Sequence, residues 1–248
     1  DDARRAAEAA ARRGAAPGEK APIAVRAATP EIDGALDEWP SEAMVELDAG
    51  GGRSARMALG RDERNLYLAY DVADDSPMKK AGSDVAMLFK SGDTCELMLA
   101  ADPAADPRRK TGVAGDLRVL MSEMDGRPVA VLYEPVLRPG REKAERVFSS
   151  PTGSETFARV VVLEGAKIAL ARREGGYRLE AALPLEALGV ELKAGGVVRG
   201  DLGVLFSTPG GNAVGRRAYY FNQDTQITQD IPTEVRLQPA NWGELRIE

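Results

Sequence analysis

From Ile23 onward the chain alternates between apolar and polar positions with a period of two. Between Leu66 and Val72, the residues Leu66, Leu68, Tyr70 and Val72 share one parity, and Tyr67, Ala69 and Asp71 take the other. Successive side chains of a strand point to opposite faces, so this run reads as a strand with one face in a core. Leu117, Val119 and Met121 repeat the pattern. Asp125-Gly126 then supplies the residue pair favoured in a tight hairpin turn, and Pro128 to Tyr133 returns as the partner strand. Further strands are predicted at about 157–163 and 166–173. After Gly175-Gly176 the run Tyr177, Leu179, Ala181, Leu183 alternates again until Pro184, which has no N–H for the ladder. The following Leu-Glu-Ala-Leu-Gly reads as one helical turn, and the last strands fall near 197–206, 217–221 and 243–247. Short alternating strands separated by turn residues predict an all-β chain, an antiparallel β-sandwich with short helical turns, spanning residues 22–248.

Residues 1–21 do not fit that pattern. They are rich in Ala and Arg, with acids first, arginines later and Gly14 placed as a stop, which reads as a lead-in helix or linker with no large apolar face to bury. Two stretches inside the sandwich, 102–116 and 138–155, carry proline, glycine and mixed charge without a period and read as inserted surface loops. A chain of 248 residues has enough length for a substantial single core.

Charge and composition narrow the chemistry. A formal net charge of −6 argues against general nucleic-acid binding, which needs excess Lys and Arg to release counterions. No run of about 18 apolar residues occurs, so membrane insertion by a helix is not expected. The single Cys95 permits no intrachain disulfide, and the lack of histidine removes the commonest general base and transition-metal ligand. No nucleophile elbow, P-loop or dinucleotide fingerprint is present, and the chain is not read as an enzyme.

Four phrases carry a further signal: PEIDGALDEWP at 30–40, SGDTCELMLAADP at 91–103, GYRLEAALPLEALGV at 176–190 and NWGELRIE at 241–248. In this order and spacing they resemble the family 9 carbohydrate-binding module and its wider DOMON-like relatives. The resemblance implies a non-catalytic module that targets an attached or partner activity to glycans. It also implies a secreted, periplasmic or cell-surface location. No cofactor is required by it, although members of the family carry structural calcium, and Asp71, Asp74, Asp75, Asp84 and Asp93 offer the oxygen ligands calcium prefers.

The resemblance also implies a site. Sugar-binding members sandwich the ligand between two tryptophans, at positions that fall near Phe89 and Lys90 and near Val235 and Arg236 here. Neither tryptophan is retained, leaving Phe89 as half a platform and Arg236 as a planar cation. Glu96 and Arg118 match the family's polar pair, which hydrogen-bonds ligand hydroxyls; their alternative is a cross-strand ion pair with no ligand. The segment 218–230 adds Tyr219, Tyr220, Phe221, Asn222, Gln223, Gln226 and Gln229, stacking surfaces and amides suited to uncharged polar ligands, with core aromatics and an ordinary polar loop as the alternative. Trp39 and Trp242 read as core or edge residues. With both clamp tryptophans gone, binding of mono- and disaccharides is expected at roughly millimolar strength and with little salt dependence. Two other functions stay open: an interaction sandwich with a decayed sugar site, and a b-haem domain using Met87 or Met98 with a lysine.

Overall fold

The computed structural model describes residues 20–75, 78–224, 228 and 230–248. The lead-in helix expected before residue 20, and Gln226 and Gln229 of the amide-rich segment, lie outside the described residues.

The strands are β1 (Ile23–Ala27), β2 (Val45–Gly50), β3 (Arg53–Arg61), β4 (Asn65–Ala73), β5 (Thr94–Ala100), β6 (Asp116–Met124), β7 (Arg127–Glu134), β8 (Arg146–Ser150), β9 (Gly153–Phe157), β10 (Arg159–Val162), β11 (Lys167–Arg173), β12 (Gly176–Pro184), β13 (Val197–Ser207), β14 (Val214–Tyr219) and β15 (Gly243–Ile247). Helix α1 (Leu185–Leu188) follows β12, and α2 (Ile231–Val235) precedes β15. A continuous hydrogen-bonded path runs β10-β7-β6-β5-β13-β15-β1-β3-β4-β12-β11, with β14 on β13, β2 on β3, and β8-β9 as a separate hairpin.

This path curls into a sandwich. Leu97, Val119 and Leu132 of one half pack with Leu68, Tyr70 and Leu179 of the other in a single buried cluster. Tyr70 Oη crosses the core to donate to the Glu96 carbonyl at 2.7 Å, and the Cys95 and Tyr177 side chains meet within it at 3.8 Å. The parity read from the sequence is realised on β4: Leu66, Leu68, Tyr70 and Val72 face this core, while Tyr67 and Ala69 join Trp39 and Leu36 on the outer face. At the β6–β7 turn Asp125 and Gly126 both take positive φ, 52° and 74°, as a two-residue hairpin loop requires.

Three features depart from the sequence reading. β1 runs parallel to both of its neighbours, Ile23 opposite Leu245 and Val25 opposite Leu59, so the mainly antiparallel sheet is mixed at its seam. The stretch 138–155 is not a plain loop, because Arg146–Ser150 and Gly153–Phe157 pair as a hairpin. Each of those strands buries one large residue, Phe148 and Phe157, and a single apolar residue per strand leaves no period to read. The strand predicted at 157–163 divides there: Phe157 ends the hairpin, and β10 begins at Arg159 as the sheet's outermost strand. By contrast 102–115 is the irregular loop expected, turned by Asp102 and Asp106 and tied down where the Arg109 guanidinium grips Asp116.

Candidate functional site

The outer face of β5, β6, β13 and β14 carries a second buried cluster, with Phe89, Met98, Leu120, Tyr133 and Tyr219 among its members. Strand register decides which polar side chains enter it. Met98 stands opposite Arg118 and Arg118 opposite Tyr133, which makes Glu96 the diagonal neighbour of Arg118 on the same face. Glu96 also faces Gly203 of β13, and Gly203 faces Tyr219 of β14. A Cβ at position 203 would collide with the Tyr219 ring, so this glycine lets the ring lie flat on the sheet and its hydroxyl reach Glu96.

The result is a buried ion pair. Arg118 Nε lies 2.6 Å from Glu96 Oε1, and Nη2 donates to Oε2 at 2.9 Å, with both side chains fully buried. Tyr219 Oη donates to the same Oε2 at 3.2 Å and accepts from Arg217 Nη2 at 2.5 Å. Burial works against the charge on Arg118, but Glu96 and the nearby tyrosines outweigh it, holding the guanidinium above its ordinary value. The Tyr219 phenol is pushed up to about 12, chiefly by burial.

The remaining donors are met by the chain itself. Arg118 Nη1 donates to the carbonyls of Glu234 and Val235 at 2.9 and 3.2 Å, and Arg217 Nη2 donates to the Glu234 carbonyl at 2.7 Å. Both carbonyls belong to α2. The Glu234 side chain is also buried, with Oε2 at 2.8 Å from Lys90 Nζ. Among the described residues, Arg217 Nε, Arg217 Nη1 and Glu234 Oε1 have no hydrogen-bond partner, nor do Arg118 Nε and Glu96 Oε1, which face each other at ion-pair distance without hydrogen-bond geometry. Among the described residues, Lys90 pairs with Glu234 and Arg118 with Glu96, while Arg217 has no carboxylate within ion-pair distance.

A hydrophobic lid completes the enclosure. Phe148 and Phe157 of the β8–β9 hairpin sit edge-on to Phe89 and Tyr133, with ring centroids 5.3 Å apart for Phe89–Phe148 and 5.9 Å for Tyr133–Phe157. The Arg118 guanidinium lies 5.8 Å from the Phe89 ring centre. At the solvent edge Arg236 Nε reaches Glu155 Oε2 at 2.8 Å, and Asp230 binds the hydroxyls of Ser150, Thr152 and Thr233. The inserted stretch therefore holds α2 over the polar pair.

Of the residues proposed from sequence, the structure brings together Phe89, Glu96, Arg118 and Tyr219. Phe89 is fully buried, a wall of this enclosure and not an open platform. Tyr220 points the other way, into the inner core, with its ring edge-on to Phe221 at 4.8 Å. Asn222 is buried, its backbone N–H held by Asp201 Oδ2 at 2.8 Å and its side-chain oxygen accepting from Asn241 Nδ2 at 3.1 Å. Gln223 and Arg236 are exposed. Trp39 and Trp242 are both buried. Sequence reasoning missed Arg217 and Glu234. The signal for Arg217 was parity, since it lies two residues from Tyr219 on β14; Glu234 had none, because only the tertiary fold brings α2 there.

The acids considered for calcium are engaged elsewhere. Asp71 pairs with Arg173 at 2.8 Å, Asp74 and Asp75 with Arg53 at 3.1 and 2.9 Å, and Asp84 with Arg146, while Asp93 accepts from the Lys79 and Ser207 backbones. Among the described residues no three metal-ligating side chains converge. An open hollow of about 350 Å³, lined by Glu31, Asn65, Tyr67 and Lys167 among others, lies on the opposite sheet and shares no residue with the Glu96 enclosure.

Two solved structures share this architecture. A family 9 carbohydrate-binding module from Caldicellulosiruptor kristjanssonii in complex with glucose superposes with a TM-score of 0.56 at 16% identity, covering 91% of this chain and 95% of that one. The cellotriose complex of a family 9 module from the same organism gives 0.55 at 16% identity, covering 91% and 93%. No family model and no curated protein matches the sequence. The chain has the β-sandwich fold of these modules, and the likeness carried by the four sequence phrases extends over nearly its whole length.

Proposed function

We propose that the protein is a non-catalytic glycan-binding module that brings an attached or partner activity to a carbohydrate outside the cytoplasm, with Glu96 and Arg118 as the polar floor of its site. The observation that carries this reading is the fully buried Arg118–Glu96 ion pair, fixed on one sheet face beside Phe89 and Tyr219. A guanidinium locked by a carboxylate in this way presents oriented donors at low entropic cost, the arrangement that recognises vicinal oxygens. The α2 carbonyls take those donors here, standing where ligand oxygens would stand. Exchange with them costs the ligand part of its binding energy, so affinity for short sugars is of roughly millimolar order.

Titration by NMR or calorimetry with glucose and cellotriose, on the parent and on Arg118→Lys, tests the reading. Lysine keeps the charge and loses the fork. Binding by the parent that falls in the folded variant is the expected result; no binding by the parent, or equal binding by both, overturns it. A second reading is favoured by the full burial of the pair: a sandwich whose site is permanently filled by α2 and which serves protein interaction. It predicts no glycan binding at any concentration.

A further inference from the structure

The segment over the Glu96–Arg118 pair carries chemistry of its own. Three cations, Lys90, Arg118 and Arg217, converge beneath α2, and the chain inserts a fully buried carboxylate there, Glu234, whose own carbonyl and that of Val235 take donors from the guanidiniums. That carboxylate is imperfectly housed. Its Oε2 meets Lys90 at 2.8 Å, its Oε1 has no hydrogen-bond partner among the described residues, and neither do Arg217 Nε and Nη1, although that residue is 2% exposed. A buried guanidinium with two idle donors, bonded to the backbone carbonyl of a residue whose own carboxylate keeps an idle oxygen, marks a place built to receive an anion with more oxygens, or a better placed one, than Glu234 supplies.

We propose that Glu234 is an internal stand-in for a carboxylated ligand, so that this site takes acidic sugars, uronic-acid residues, in preference to neutral ones. The proposal rests on the glycan-binding reading above and names its substrate class. Displacing Glu234 leaves Glu96 as the one carboxylate against Lys90, Arg118 and Arg217. A neutral sugar entering there would leave the buried Arg217 and the partly exposed Lys90 without a carboxylate, whereas a uronate carboxylate takes over the Lys90 contact and reaches the idle Arg217 nitrogens. The sugar hydroxyls then take the places of the Glu234 and Val235 carbonyls on Arg118. The links that hold α2, Arg236 to Glu155 and Asp230 to Ser150 and Thr152, lie at the rim and are separable without touching the polar floor.

The test compares methyl β-glucuronide with methyl β-glucoside, which differ only in the oxidation of C6, by NMR titration of the parent, Lys90→Gln and Arg236→Ala. Glutamine at position 90 keeps an N–H donor for the buried Glu234 carboxylate, and thermal unfolding of each variant establishes that it is folded before titration. The expected result is tighter binding of the glucuronide by about tenfold, weakening as salt rises, reduced in Lys90→Gln and enhanced in Arg236→Ala. Equal or stronger binding of the glucoside, or a Lys90→Gln change that affects both sugars alike, overturns the acidic preference while leaving glycan binding in place. Failure of both sugars to bind any of the three proteins overturns the glycan-binding reading itself, and this inference with it.

Discussion

Trp39 Nε1 donates to Glu180 Oε1 at 2.7 Å, joining two side chains 141 positions apart in the sequence. The other oxygen of the same carboxylate accepts from the backbone N–H groups of Gly34 and Asp33 at 2.7 and 3.2 Å. Gly34 sits at φ 88°, a conformation in which a side chain is strained, and a Cβ there would press on Ala171. Two of the four sequence phrases are thus one structural device: a buried carboxylate on β12 that pins the loop carrying Trp39 across the outer face of the sheet.

Trp39→Phe keeps most of the packing and removes one donor, leaving a buried carboxylate oxygen unpaired. Loss of about 1–3 kcal/mol of stability is expected in urea unfolding. A loss within experimental error would show that water reaches Glu180 and that the pin contributes nothing.

Glu96→Ala leaves Arg118 charged and uncompensated at a fully buried position. The single variant should cost about 3–5 kcal/mol, whereas Glu96→Leu combined with Arg118→Met, which removes both charges, should recover much of that. Additive losses in the double variant would mean that the pair is not a coupled unit. For binding experiments this makes conservative variants at the two positions preferable to alanine.

Phe157 is fully buried at the tip of the hairpin's packing against Tyr133 and Phe148. Phe157→Ala should cost about 3–5 kcal/mol if the lid folds with the sandwich. Arg236→Ala, which breaks only a solvent-exposed pair with Glu155, should cost no more than about 1 kcal/mol. Hydrogen exchange then separates two cases: loss of protection confined to α2 and the hairpin, or spread through the sandwich. The first is expected for Arg236→Ala and the second for Phe157→Ala.

Burial pushes the Asp201 carboxyl up to about 7, against three backbone N–H donors from Leu202, Phe221 and Asn222 that pull it down. In the unfolded chain an aspartate titrates near about 4. Between those values the folded state binds the proton more tightly, so its contribution to stability is complete below about pH 4 and is lost as pH rises through about 7. Asp93, also raised to about 7 by burial, moves the same way. Unfolding free energy should therefore fall from pH 4 to 7, by up to about 1.4 kcal/mol per pH unit for each group. Asp201→Asn should flatten that slope; an unchanged slope would show that the three N–H donors hold Asp201 ionised in the fold.

The alternating strands were legible because alternation is local: one residue's parity decides its face, and β4, β6, β7 and β12 follow it. The polar pair was legible only through the family resemblance of its phrases, and the register of β5 and β6 then places Glu96 and Arg118 on one face. Hairpin β8–β9 was not, because one phenylalanine per strand sets no period. Nor was the mixed seam, since β1 lies between β3 and β15 through pairings more than thirty residues away on one side and more than two hundred on the other.

The amino-acid order by itself determined the alternation within each strand, whereas the register of β5, β6, β13 and β14 decided that Glu96, Arg118 and Tyr219 share one outer face. Whether that face is open was decided only in three dimensions. Residues 230–237 and the hairpin hold no local pattern that directs them to β5 and β6; they arrive because buried donors on Arg118 and Arg217 must find acceptors, which the α2 carbonyls supply, and because the Glu234 carboxylate meets Lys90.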